Sequence, residues 1–213
     1  MLVRQSSKAT TLPTEMLSHI FLLSSMTSHQ TALAFPVTIS HVCRAWRSIA
    51  IGTANLWTTI QFTRLPSIHP SLMDYEQQRT WLTRSKGAPL HIHLVLNQSP
   101  KKEWNEEVLD RHWFSADDMD RVLDLIIPEA HRWSSAHVLT DSYAPMYRFL
   151  QRSSHIKAPI LKDVELYRCN HFYGQSAEFH PRRFKDSFPL FESAEKLESV
   201  TLSGVHVDWG STG

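Results

Sequence analysis

The sequence predicts an α+β fold: a small N-terminal helical module followed by an α/β, solenoid-like array of strands and helices. Three observations carry this. Between Leu12 and Ile60, apolar residues recur twice at the three- and four-residue spacing of a helix face. Pro89 to Asn97 reads PLHIHLVLN, with Leu90, Ile92, Leu94 and Leu96 at every second position, the period of a strand. Three later segments, opening at Trp133, Leu161 and Leu197, repeat one apolar spacing, as stacked units do when each leaves a face that only its neighbour covers.

In chain order, residues 1–11 are polar and read as a disordered N-terminus. Leu12 and Pro13 lead into the first helix, with Thr14 and Glu15 in its first turn; proline is tolerated there because that N–H has no intrahelical partner. Met16, Leu17, Ile20, Phe21 and Leu23 read as its apolar face. The second helix carries Ile39, Val42, Cys43, Trp46, Ile49 and Ala50 on one side and mostly His41, Arg44, Arg47 and Ser48 on the other. Gly52 ends it, and Leu56 and Trp57 follow. Thr27 to Val37, with Phe35 and Pro36, reads as a long connection, tolerable because loop-closure entropy grows slowly with length. Each large apolar side chain buried contributes roughly 1.5–3 kcal/mol. A stretch of about fifty residues is near the lower limit for an independent core, so part of this surface is expected to pack on the rest of the chain or on another protein.

The order Leu-Pro-x-Glu-(apolar)-Leu, then Ile20-Phe21, then Val42-Cys43-Arg44-x-Trp46-Arg47-x-Ile49-Ala50, then Leu56-Trp57, resembles the F-box, in the F-box-like form common in mushroom-forming fungi. The resemblance implies a three-helix F-box-like module over residues 12–62 that docks on the Skp adaptor of a Skp–cullin–F-box, cullin-RING ubiquitin ligase. Carried over residue by residue, it implies that Leu12 and Pro13 touch the adaptor and that Ile20 and Phe21 lie at the join of core and interface, with Leu17 counted among the adaptor-binding residues. It further implies that Val42, Cys43 and Trp46 line a second strip, and that Leu56 and Trp57 close the module.

Residues 63–88 read as a linker and a helix. Pro66 and Pro70 break the scrap of alternation at Ile60 and Phe62, and a run from Ser71, with Leu72, Tyr75, Trp81 and Leu82, then has no Gly or Pro until Gly87. After the PLHIHLVLN strand, Lys101 to Arg111 is charged and helical or loose. Ser115 is placed to cap a helix with Asp117 and Asp118 in its first turn, where they suit the dipole, and Met119, Val122, Leu123, Ile126 and Ile127 as its buried face; Pro128 bends or ends it. The three repeated segments superimpose on L-x-x-L-x-L-x-x-(N/C), the strand part of a leucine-rich repeat. Helices are expected between them, over Ala144 to Gln151 and within Arg182 to Lys196. Residues 89–213 thus read as a degenerate leucine-rich-repeat-like region, irregular in spacing and, since the sequence given stops at Gly213 without a polar capping unit, short or truncated with an exposed last edge.

The chemistry that the sequence argues against is as informative. The formal charge of +1 and the two arginines of HVCRAWR fall short of a nucleic-acid footprint. Cys43 and Cys169 are far apart, without a second thiol near either, so no disulfide scaffold or zinc knuckle is supported. No leader-like apolar run opens the sequence and no stretch reaches the length of a membrane span, so cytoplasm or nucleus is expected. Among thirteen histidines, His91 and His93 share a strand face, but no carboxylate or cysteine accompanies them at a ligand spacing, and solvent-facing or packed histidines are the better reading. No nucleophile elbow, phosphate loop or facing carboxylate pair occurs, and Cys43 sits on an apolar helix face where a thiol behaves as a small hydrophobe. The expectation is no enzyme and no cofactor. Two functional readings remain: a non-catalytic substrate-receptor subunit of a Skp–cullin–F-box ligase, binding the Skp adaptor through the F-box and an unknown target protein through the repeats, or an F-box-like scaffold with no ligase role.

Overall fold

In a computed structural model of the chain, the structure describes residues 12–25, 34–63, 75–96, 114–168 and 186–210. The chain divides into two compact units, one made of residues 1–59 with 79–88 and the other of residues 60–78 with 89–213.

The first unit holds α1 (Thr14–Ser25), α2 (Ala34–Ser40), α3 (Arg44–Gly52) and a 3-10 turn over Ala54–Trp57. The single second helix expected from the sequence is two. α2 begins ahead of Pro36, inside the stretch read as a connection, where proline in a first turn forfeits no hydrogen bond. It closes with i→i+3 bonds from His41 N to Thr38 O (3.1 Å) and Val42 N to Ile39 O (3.3 Å). Cys43 is then extended (φ −157°, ψ 171°), and its thiol accepts the Trp46 N–H at 3.5 Å, capping α3. The apolar period from Ile39 to Ala50 runs across this break, so Ile39 is buried while Val42 is 58% exposed.

The module does not end at Trp57. That indole is fully buried, its Nε1 donates to Ala50 O at 2.8 Å, and the Trp81 ring packs on it at 5.4 Å and 83°. Trp81 lies on α4 (Glu76–Ser85), whose residues from Arg79 onward belong to this first unit although the sequence reads them with a linker. Arg84 completes the lid, its guanidinium 4.4 Å from the Trp57 ring centre. Tyr75 has φ +56° and is not helical, so α4 starts after it; the expected start at Ser71 and Leu72 lies outside the described residues.

The second unit is built on a five-stranded sheet in the order β1 (Thr59–Thr63), β2 (Leu90–Leu96), β3 (Trp133–Thr140), β4 (Asp163–Arg168), β5 (Ser199–Ser203). Strands β2 to β5 are parallel, and their register aligns the repeated motif position by position: Ile92, Ala136, Val164 and Val200 form one column and Leu94, Val138, Leu166 and Leu202 the next. In β2, β3 and β4 those columns are fully buried, whereas Val200 on the outermost strand is 39% exposed. The intervening residues of β2, β3 and β4 point to the other face and remain half-exposed, as a period of two requires, and those of β5 are exposed.

Helix α5 (Ala116–Ile126) opens with a reciprocal capping box: Ser115 Oγ accepts the Asp118 N–H at 3.2 Å and Asp118 Oδ2 accepts the Ser115 N–H at 2.8 Å. Of its expected face, Met119, Val122, Leu123 and Ile126 are fully buried, while Ile127 is half-exposed, because Pro128 passes the chain into a 3-10 helix over Ile127–Arg132. Helix α6 (Tyr143–Ser153) packs on α5, with Arg148 Nε 3.0 Å from Asp120 Oδ2 and Arg152 Nη1 2.7 Å from Asp124 Oδ1.

Of the helix expected within Arg182 to Lys196, the described part, residues 186–196, is not helical. Pro189 removes an N–H and disfavours a helical residue before it. The chain instead runs extended beside its neighbours, with Glu192 N on Ile156 O (3.0 Å), Ala158 N on Ser193 O (2.8 Å) and Asp208 N on Phe188 O (2.8 Å). Residues 182–185, Cys169 and the charged stretch from Lys101 to Arg111 lie outside the described residues, as do residues 1–11.

Candidate functional site

Helix α1 decides what the first unit can bind. At about 100° per residue, its apolar residues occupy too wide an arc for one contact face. Leu17 and Phe21 turn inward, at 5% and 2% exposure. Met16, Ile20 and Leu23, four and three residues apart, form an outward stripe at 54%, 44% and 55% exposure. Leu12 and Pro13 at the helix entry are exposed as well, held by the first-turn bond from Leu17 N to Pro13 O (3.1 Å). On the following elements, Val37 of α2 and Val42 in the α2–α3 turn are, among the described residues, the other large apolar side chains exposed ahead of α3.

What holds the stripe in place lies underneath. Phe21 packs on Trp46 of α3 with ring centres 5.0 Å apart, so the inner face of α1 is pinned to the helix that Cys43 caps. Thr53 at the end of α3 donates to Ile49 O (2.8 Å) and lies 3.3 Å from Ser18 Oγ, a second tie between the two helices. Ala50 and Trp57 are fully buried beneath.

The ten residues expected to meet an adaptor therefore sort by depth. Leu12, Pro13, Ile20 and Val42 are exposed, and Cys43 and Trp46 are half-buried. Leu17, Phe21, Leu56 and Trp57 are core residues of the unit's own fold and lie beneath its surface in this conformation. Met16, Leu23 and Val37 are the exposed residues that sequence reasoning left out of the site. A signal for the first two was legible, since six apolar residues in one short helix exceed the width of a single buried stripe.

Other chemistry-bearing groups serve the fold. His91 sits in the sheet with its Nδ1 2.8 Å from Ser135 Oγ, and burial lowers its pKa below the usual 6.5. Burial lifts the Tyr143 hydroxyl to about 12, with the Arg168 guanidinium 5.8 Å from its ring centre. Among the described residues no group of three or more His, Cys, Asp or Glu could hold a metal ion, and no helix is long and apolar enough to cross a membrane.

No curated protein matches the chain, and no solved structure does. Residues 9–63 match the family model described as F-box-like, a stretch that runs from ahead of α1 through β1, and an F-box-like domain is thus the likeness this chain carries.

Proposed function

We propose that the chain is a non-catalytic substrate-receptor subunit of a Skp–cullin–F-box ubiquitin ligase, working inside the cell, in cytoplasm or nucleus. The first unit would hold the Skp adaptor through Leu12, Pro13, Met16, Ile20 and Leu23, with Val37 and Val42 as further contacts and Trp46 and Cys43 behind them. The parallel sheet, read as a short leucine-rich-repeat-like array, would hold the target. Catalysis would come from proximity: the receptor raises the local concentration of the target beside a charged ubiquitin carrier and contributes no nucleophile itself.

The observation that carries this reading is the outward stripe of α1 inside the F-box-like stretch. Three large aliphatic side chains about half exposed on one helix edge favour a protein partner over water. The experiment is a pull-down of the purified chain with the host's Skp adaptor, followed by calorimetry. Ile20→Asp is expected to abolish binding while leaving the fold intact, because Ile20 is 44% exposed; Pro13→Ala should weaken binding with little loss of helix. A folded chain that ignores the adaptor, or binds it equally well as Ile20→Asp, would leave a scaffold protein with no ligase role.

A further inference from the structure

The half-exposed face of the sheet has a chemistry of its own. Register places His93 of β2, His137 of β3 and Glu165 of β4 in one row, with Tyr167 one row on. The rings make a continuous run across three strands: His93 to His137 at 5.7 Å between centres, His137 to Tyr167 at 5.9 Å. Beside that run stand Asp163 and Glu165, two residues apart on one strand and so on the same side.

Neither carboxylate has a cationic side chain for a partner among the described residues. Glu165 Oε2 lies 3.5 Å from His137 Nδ1, too long for a good hydrogen bond and an ion pair only when the imidazole is protonated. The face thus offers a run of tilted aromatic rings beside two carboxylates, and no Lys or Arg stands on it in β2 to β5.

We propose that this face is the target-docking surface and that it takes an extended segment presenting arginine. A guanidinium meets both demands together: a planar cation that stacks on the Tyr167 or His137 ring and forks to the Glu165 carboxylate. Lysine supplies the charge without the plane. The inference rests on the receptor reading for its biological sense, though the docking chemistry stands on the sheet alone.

The test uses the full chain and a short fluorescein-labelled peptide of alternating glycine and arginine, with lysine and glutamate counterparts, read by anisotropy at low and physiological salt. Saturable binding of the arginine peptide is expected, tighter than the lysine peptide and absent for glutamate. Glu165→Gln and Tyr167→Ala should each weaken it about tenfold. Glu195→Gln, an exposed carboxylate off this face, should leave it unchanged. Circular dichroism checks that each variant is folded, and movement of the His137 imidazole resonances on saturation locates the peptide independently of any variant. Unsaturable binding, equal affinity for arginine and lysine, or full affinity in folded Glu165→Gln overturns the proposal. The same preparation is offered the Skp adaptor: adaptor binding without arginine binding sinks this inference alone, while arginine binding without adaptor binding sinks the receptor reading and leaves the docking face standing.

Discussion

Trp81→Ala probes the claim that the F-box-like module needs a helix lying beyond its family boundary. Trp81 is 4% exposed and packs at nearly a right angle on Trp57, which is itself fully buried. Replacing a buried tryptophan by alanine costs about 3–5 kcal/mol, through lost transfer energy and the cavity left behind. Of that, an edge-to-face aromatic pair accounts for about 0.5–1.5 kcal/mol. Against a domain stability of about 5–15 kcal/mol, the loss is a large fraction. The assay is hydrogen exchange at the amides of α1 and α3, which isolates this unit from the sheet, together with urea unfolding of two fragments ending at residues 63 and 88. The expected result is exchange accelerated by several orders of magnitude in Trp81→Ala, and a longer fragment that unfolds at markedly higher urea. A cost below about 1 kcal/mol in the variant, or coincident midpoints for the two fragments, would refute the reasoning and return α4 to the linker.

Other expectations follow from single contacts. The Cys43 thiol is a weak acceptor that caps α3 at 3.5 Å, so Cys43→Ser should raise stability by about 0.5–1 kcal/mol and Cys43→Ala should lower it; a urea midpoint that falls in the serine variant would count against the cap. His91 is held below its ordinary 6.5 by burial, so the folded state stays neutral where the unfolded state takes up a proton. Stability is then full above about pH 6.5 and declines as pH falls from there towards the folded value. His91→Gln should flatten that part of the stability–pH curve, and an unchanged slope would show that other groups govern it.

Much of this protein is written locally. The F-box-like residues from Leu12 to Trp57, the alternation of PLHIHLVLN and the capping box at Ser115 are each legible because one element's own period or cap decides them. The three repeated segments are more telling: their apolar positions predicted the cross-strand columns of β3, β4 and β5, since a side-chain period of two leaves one register that keeps them all on the same face. The sheet's chemical face was half visible, with His91 and His93 seen to share a side, but their meeting with His137, Glu165 and Tyr167 depends on pairing across distant segments.

The rest was decided in three dimensions. The break at His41 and Val42 is invisible to periodicity, because the apolar spacing runs through it while the backbone turns at an extended Cys43. The extended course of residues 186–196 depended on carbonyls of Ile156 and amides of Ala158 being within reach, which outweighed the helical spacing of Phe188, Phe191 and Ala194. Whether Phe21 or Ile20 faces outward, and which distant tryptophan covers Trp57, follow from what each side chain finds opposite it. Sequence alone determined which residues are apolar and at what period; tertiary structure decided which of them stay in water, because burial is a property of the partner surface and not of the residue.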